Sequence, residues 1–425
     1  MRHLAFPRGV TRRDLVEWFR RGRARSREIF AIPKPETYYE RPIKLRNPIV
    51  FYEGHLPAFT VNTLLKLALK QPGVNPDYEV LFERGIDPDD EDKAKPTSSR
   101  WPSRRDVQAY GAEVESRIER ALCNAEIERD DVPQLRGAEA ALAILEHEQM
   151  HQETLLYMFH EMPYEQKNRR KPLGQWSGGL SGRRRAESPS LHIPAGVATL
   201  GAGDHFAWDN ELPQHQVEVS DFEIDPHKVT NGQYIDYIHA TGAEPSHFWK
   251  RIDGQWYWRG MFELTPLPLD SPVYVTQEQA TAFARWRGAR VPTEAEWHRA
   301  AFGTPSGEER LYPWGDEPPD ASRGNFGFAN WDPVPAGSYP EGDSAWGVHD
   351  LIGNGWEWTS TPFSGFDGFQ PMASYPNYSA DFFDGQHFVL KGASPATSPE
   401  LIRRSFRNWF RGNYPYVYAT FRCAA

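Results

Sequence analysis

At 425 residues, with 39% hydrophobic and 25% charged residues, the chain is long enough for two buried cores, and its composition excludes a disordered or fibrous protein. A formal net charge of −10 removes the basic footprint of a nucleic-acid binder, so the Arg183-Arg184-Arg185 run reads as solvated linker and no nucleic-acid partner is expected. Cys123 and Cys423 are the two cysteines, which argues against a disulfide scaffold, a cysteine-rich metal site or a CxxC redox motif.

The N-terminal stretch MRHLAFPRGVTRRDLVEWFRRGRARSREIF is basic but lacks the continuous apolar region of a secretory signal. No later window approaches the roughly 18 uninterrupted apolar residues of a membrane span, so a cytoplasmic protein without a membrane partner is expected. Residues 1–165 read as helical. Thr11 is placed to cap the first helix, GHLPAFTVNTLLKLALKQPG carries apolar residues at helical spacing before stopping at Pro-Gly, and SRRDVQAYGAEVESRIERALCNAEI and QLRGAEAALAILEHEQMHQETLLYMFHEM continue the pattern. Four such helices predict a bundle.

Residues 166–192, rich in Gly, Ser, Arg and Pro with no sustained period, are expected to be a linker or a surface strap. From residue 193 to 425 the texture changes: the strand-like runs HQVEVSDFEI, HFVLKGAS and YVYATFRC alternate with turns, and TNGQYIDYIHAT, TQEQATAFARWRG and TEAEWHRAAFG look helical. With an aromatic share of 13% across the chain, this half is predicted to be an irregular α+β domain held by buried rings.

His147 and His151 stand one helical turn apart, so both imidazoles can reach one metal ion. Ile144, Leu155 and Met158 extend the same stripe, which points the pair toward an apolar interior where unpartnered imidazoles are costly. The spacing also fits a helix whose histidines merely bond neighbouring carboxylates or carbonyls. A third reading is a zinc hydrolase, because His147-Glu148-Gln149-Met150-His151 satisfies H-E-x-x-H. The extended protease pattern fails at Thr154 and Tyr157, although Glu161 or Glu165 could supply a carboxylate ligand. His55, beside Gly54 at the start of a predicted helix, is a further candidate ligand; three histidines would leave open coordination positions, as a catalytic metal site requires.

In the second half, LHIPAGVATLGA, DNELPQHQVEVSDFEIDPHKVTNGQYIDYI, RVPTEAEWHRAAFG, DLIGNGWEWTS and LKGASPATSPELIRRSFRNWF follow the order of formylglycine-generating-enzyme-like domains, whose fold resembles an elaborated C-type lectin. Cys423 alone cannot form the cysteine pair of formylglycine-generating chemistry. A DinB-like bundle carrying H…H-x3-H-x-E ahead of such a domain resembles the non-heme iron sulfoxide synthases of ergothioneine and ovothiol synthesis, EgtB and OvoA, and their selenium-using relatives of the SenA type. The implied fold class is therefore α + (α+β): a DinB-like four-helix bundle, then a C-type-lectin-like domain.

That resemblance implies Fe(II) held by His55, His147 and His151, with Glu153 completing the motif, and O2 as co-substrate. It implies small-molecule substrates: hercynine, whose imidazole carbon is the acceptor, and a chalcogen donor. Tyr375 and Tyr378 lie where the family carries its active-site loop and are candidate proton donors. Asn408 and Trp409, and Met150 where a Gln is usual, occupy acceptor-contact positions; Arg404 and Arg407 are placed to meet a carboxylate. The stretch FYEGHLPAF replaces the usual W-H-x-x-H, GASP at 392–395 replaces G-G-S-W, and TFR replaces G-F-R. The first of these resembles the selenoneine synthases, which implies a selenosugar donor and a C–Se bond; γ-glutamylcysteine or cysteine with a C–S bond is the alternative. A lectin-like binding module with a structural metal is the non-catalytic alternative.

Overall fold

The computed structural model describes residues 11–83, 101–171, 188–203 and 205–425, and these fall into two compact units. The arginine run at 183–185 and the first ten residues lie outside the described residues.

The first unit is helical. Helix α1, Arg12–Ile29, starts at Thr11, whose hydroxyl accepts from the Asp14 amide while Asp14 reaches back to the Thr11 amide, satisfying two of the donors a helix start leaves open. Helix α2, Ile49–Thr60, follows extended Pro48 and runs on as a π-helical segment, Val61–Ala68. Except for Glu53, every residue of α2 is buried, so the helix is apolar all round because it has no solvent face. The short helix α3, Pro76–Leu81, is capped by Asn75, and α4, Arg104–Asn124, by Ser103. Helix α5, Glu139–His160, enters from a left-handed turn at Gly137 and Ala138, both with φ of 58°.

Of the stretch read as linker, residues 167 and 168 run against the α1–α2 connection: Lys167 pairs with Pro33, and the Asn168 amide donates to the Ile32 carbonyl at 2.7 Å. Residues 172–187 lie outside the described residues.

The second unit is built on a four-stranded sheet in the order β10-β9-β8-β11, from β8 (Trp356–Pro362), β9 (His387–Lys391), β10 (Asn408–Arg411) and β11 (Ala419–Thr420). Smaller antiparallel pairs flank it: β1 (Leu191–Ile193) with β4 (Phe222–Ile224), and β2 (Gly196–Leu200) with β3 (His215–Val219). A meander of β5 (Trp249–Ile252), β6 (Gln255–Arg259) and β7 (Leu264–Pro266) completes the strands. The three helices read from sequence are present as α6 (Asn231–Thr241), α7 (Gln277–Trp286) and α8 (Glu294–Phe302), each opened by a threonine capping box.

YVYATFRC yields only the two-residue β11, because its backbone serves several partners in turn: Trp356 bonds the Tyr418 carbonyl, Val275 that of Ala419, and Val229 that of Phe421. The core gathers Trp297, Phe302, Ile193, Ile224, Val348 and Leu351. Within this fold Arg422 and Glu357, both fully buried, form a 2.6 Å ion pair, and Lys228 donates to the Gly353 and Gly355 carbonyls, which fixes the irregular 353–357 turn from inside. Among the described residues, no helix is long and apolar enough to cross a membrane.

Candidate metal centre

Among the described residues, His55 of α2 and His147 and His151 of α5 form a group whose ligand atoms all lie within 4.8 Å of one another. Their ring centroids are 5.2 Å (55 to 147), 5.0 Å (55 to 151) and 4.5 Å (147 to 151) apart. The i, i+4 spacing on α5 sets one edge of the triangle, and α2, buried against that face, supplies the third corner.

His55 donates from Nδ1 to the Phe82 carbonyl at 2.8 Å. A carbonyl only accepts, so Nδ1 carries the proton and Nε2 keeps its lone pair, the arrangement that orients a ligating imidazole. Nδ1 of His151 is buried without a hydrogen-bond partner, an unmet polar atom in an apolar setting. Burial lowers the pKa of all three imidazoles: that of His55 to about 4, partly opposed by its bond to Phe82; that of His147 well below its ordinary value, with His151 and His55 adding to the effect; and that of His151 well below its ordinary value too, with His55 and the cation of Arg46 adding. The triad is therefore neutral near pH 7, the form in which imidazole binds metal. Three neutral nitrogen donors with one orphaned ring nitrogen fit a divalent transition metal better than a hard oxygen-seeking cation.

Aromatic rings hold the imidazoles in place. Phe59 stacks on His147 with centroids 3.5 Å apart and planes 10° off parallel, Phe51 stacks on His55 at 5.0 Å, and Tyr52 meets His151 at 5.7 Å. Ile144, Leu155 and Met158 are buried as the stripe predicted.

Glu148 does not belong to this group. Its carboxylate accepts from Arg23 at 2.8 Å and from Ser26 at 2.6 Å, both on α1, and Gln152 joins the same network through Ser26 and the Gly22 carbonyl. A hydrolase base would have to face the metal, so the zinc-protease reading of H-E-x-x-H loses its key residue. Glu161 caps the end of α5 and Glu165 is exposed; neither is in the histidine group.

Tyr375 belongs to the first unit through the segment Met372–Pro376. Its ring meets Phe59 edge-on at 5.1 Å and His147 at 6.3 Å. Tyr378 belongs to the second unit, where it stacks on Trp208 at 4.1 Å and meets Trp409 at 5.2 Å. Trp409 also stacks on Phe363 at 4.3 Å, and Asn408 opens β10 with its Oδ1 accepting from the Trp409 amide. Met150 and Glu153 are partly buried on α5.

The two arginines behave as structural ion pairs. Arg407 is buried, donates to Glu294 at 3.0 Å and also serves the Asn210 and Ser364 carbonyls; Arg404 pairs with Glu309 at 3.3 Å. Three contributors were missed from sequence: Phe59, detectable as the i+4 neighbour of His55; Arg46, which has no local signal; and Glu139, whose partner is more than two hundred positions away.

Residues 180–425 match the sulfatase-modifying factor enzyme 1-like domain, and residues 19–155 match the DinB superfamily. The hercynine oxygenase of Mycolicibacterium thermoresistibile is 33% identical, over 84% of this chain and 82% of that protein. That of Mycolicibacterium smegmatis is 33% identical, over 72% of this chain and 74% of its own length. Ergothioneine biosynthesis protein 1 of Neurospora crassa is 30% identical over 90% of this chain, which spans only 54% of the fungal protein.

Proposed function

The chain belongs to the EgtB/OvoA-like sulfoxide synthase family, and from that membership and its histidine triad we propose that it is an O2-dependent iron enzyme joining a chalcogen donor to the imidazole ring of hercynine. The observation that carries the proposal is the triad itself: three imidazoles from two helices, one oriented by a backbone carbonyl and another left with an unpartnered nitrogen. His55, His147 and His151 would hold Fe(II), which when bound supplies open positions for acceptor, donor and O2 and a redox centre for their coupling. In the overall reaction one acceptor C–H and one donor S–H or Se–H are lost, a carbon–chalcogen bond forms, one oxygen atom of O2 is kept on the chalcogen and the other leaves as water.

The protein's own residues divide the remaining work. Phe59, Phe51 and Tyr52 fix the imidazole planes and keep water from the ligands. Tyr375 carries a phenol proton in the aromatic layer that covers His147, which suits it to proton donation. Asn408 and Trp409 are proposed as acceptor contacts from the family resemblance, the ring of Trp409 being suited to a quaternary ammonium. Arg404 and Arg407 are left out of the substrate contacts because their guanidinium groups are held by Glu309 and Glu294.

For the donor we propose a selenosugar and a C–Se product, on the strength of NPIVFYEGHLPAF around the first histidine. The names of the relatives, hercynine oxygenase and ergothioneine biosynthesis protein, favour a thiol donor as the second reading. Iron-loaded protein given hercynine and O2 with selenoglucose, γ-glutamylcysteine or cysteine separates them by product mass. The selenium adduct should dominate; preference for γ-glutamylcysteine would overturn the donor assignment, and no adduct with any donor would overturn the synthase reading.

A further inference from the structure

We propose that Glu139, in the first turn of α5, is a positioning residue that pins the segment Met372–Pro376 and thereby holds Tyr375 against Phe59 and His147; this inference rests on the reading of the triad as the metal site. The Ser374 backbone amide donates to Glu139 Oε1 at 2.7 Å, and Gln134 Nε2 reaches the Ala373 carbonyl at 3.5 Å. The segment has no helix or strand of its own, so its placement depends on such contacts and on buried Met372 and Ser374.

A side-chain oxygen that accepts from a loop amide can fix a segment whose backbone has no partner in a helix or strand. The tether falls on the residue next to Tyr375 in the chain. It also starts on α5, the helix that carries His147 and His151, so one rigid element sets the positions of two ligands and of the tyrosine. Phe59 closes the arrangement: one face lies on His147, and the Tyr375 ring meets it edge-on. Glu139 touches none of the reacting groups and acts through the segment.

The test uses the full chain. Backbone hydrogen exchange at Ser374 is measured in the metal-free protein for wild type, Glu139→Ala and Glu139→Gln, and cobalt(II) affinity is measured for each. Glutamine keeps an acceptor oxygen and loses only the charge, so it should preserve most of the protection, whereas alanine should speed exchange at Ser374 about tenfold or more. Cobalt affinity should be unchanged in both variants.

In turnover with hercynine and a donor, Glu139→Ala should lower kcat with little change in KM, and the loss should vanish when Tyr375 is already phenylalanine. Unchanged exchange in Glu139→Ala, equal loss in both variants, or additive losses in the double variant would each overturn the proposal. A wild-type chain that shows no turnover would count against the synthase reading alone, because the exchange result judges the tether by itself.

Discussion

Replacing Gly54 by alanine should weaken metal binding through a residue that never touches the metal. A Cβ at Gly54 would lie 2.5 Å from three ring carbons of Phe82, far inside contact distance. The ring has nowhere to go: Phe82 is fully buried, stacked on Trp101 at 5.9 Å, packed against Phe51 at 6.5 Å and met edge-on by Tyr78. Overpacking of this kind costs ~1–3 kcal/mol. Removing a helix-interior glycine returns about 1 kcal/mol, so the net loss is about 0–2 kcal/mol.

The larger effect concerns His55. Relief of the clash must move Phe82, whose carbonyl holds His55 Nδ1 at 2.8 Å, and a lost second-layer partner of a metal-binding histidine lowers affinity about 10–100-fold. Cobalt(II) titration followed by its ligand-field absorption, alongside urea unfolding of the metal-free chain, measures both quantities. A Gly54→Ala protein that is more stable than wild type and binds cobalt equally well would show that Phe82 does not couple Gly54 to His55.

Glu148→Gln should lower stability by about 1–3 kcal/mol by removing the charge that Arg23 is paired with, yet leave metal stoichiometry intact; loss of metal or of turnover without loss of stability would restore the hydrolase-like role. Phe59→Ala removes the ring stacked on His147 and should cost about 3–5 kcal/mol in the first unit and loosen the metal, as read by unfolding and by cobalt affinity. Acid should destabilise the second unit. Burial alone would raise the carboxyls of Glu211 and Glu294, but Arg403 with Ser405 and the Trp208 amide, and Arg407 with Lys391, outweigh it and hold both below their ordinary value of 4.5. Groups lowered in the folded state stabilise it fully above that value and lose the contribution as pH falls through their folded values, so melting temperature should drop steadily below about pH 4.5. A flat profile there would contradict the ion-pair assignment.

The histidine cluster was legible in the sequence to the extent that it rests on local spacing. His147 and His151 announce themselves one turn apart, and the apolar stripe of Ile144, Leu155 and Met158 shows which way they face. His55 could be offered from its neighbours only as a further candidate at a helix start; it lies inside α2, and the family resemblance made it the third ligand, since its link to α5 is a tertiary contact. The helix start at Thr11 was readable because a cap acts within three residues. The aromatic meander β5–β6–β7 and the fragmentation of YVYATFRC were not, because they depend on pairing between distant segments. For the same reason sequence could not distinguish the local setting of Tyr375 from that of Tyr378, three residues on, nor show that Arg407 is committed to Glu294.

A crystal structure of the chain loaded anaerobically with Fe(II) tests the assignment of the triad most directly. One ion should be bound by Nε2 of His55 and by ring nitrogens of His147 and His151, with His55 Nδ1 still donating to the Phe82 carbonyl and Glu148 still on Arg23. An ion held elsewhere, or one that draws Glu148 away from α1 to become a ligand, would contradict it.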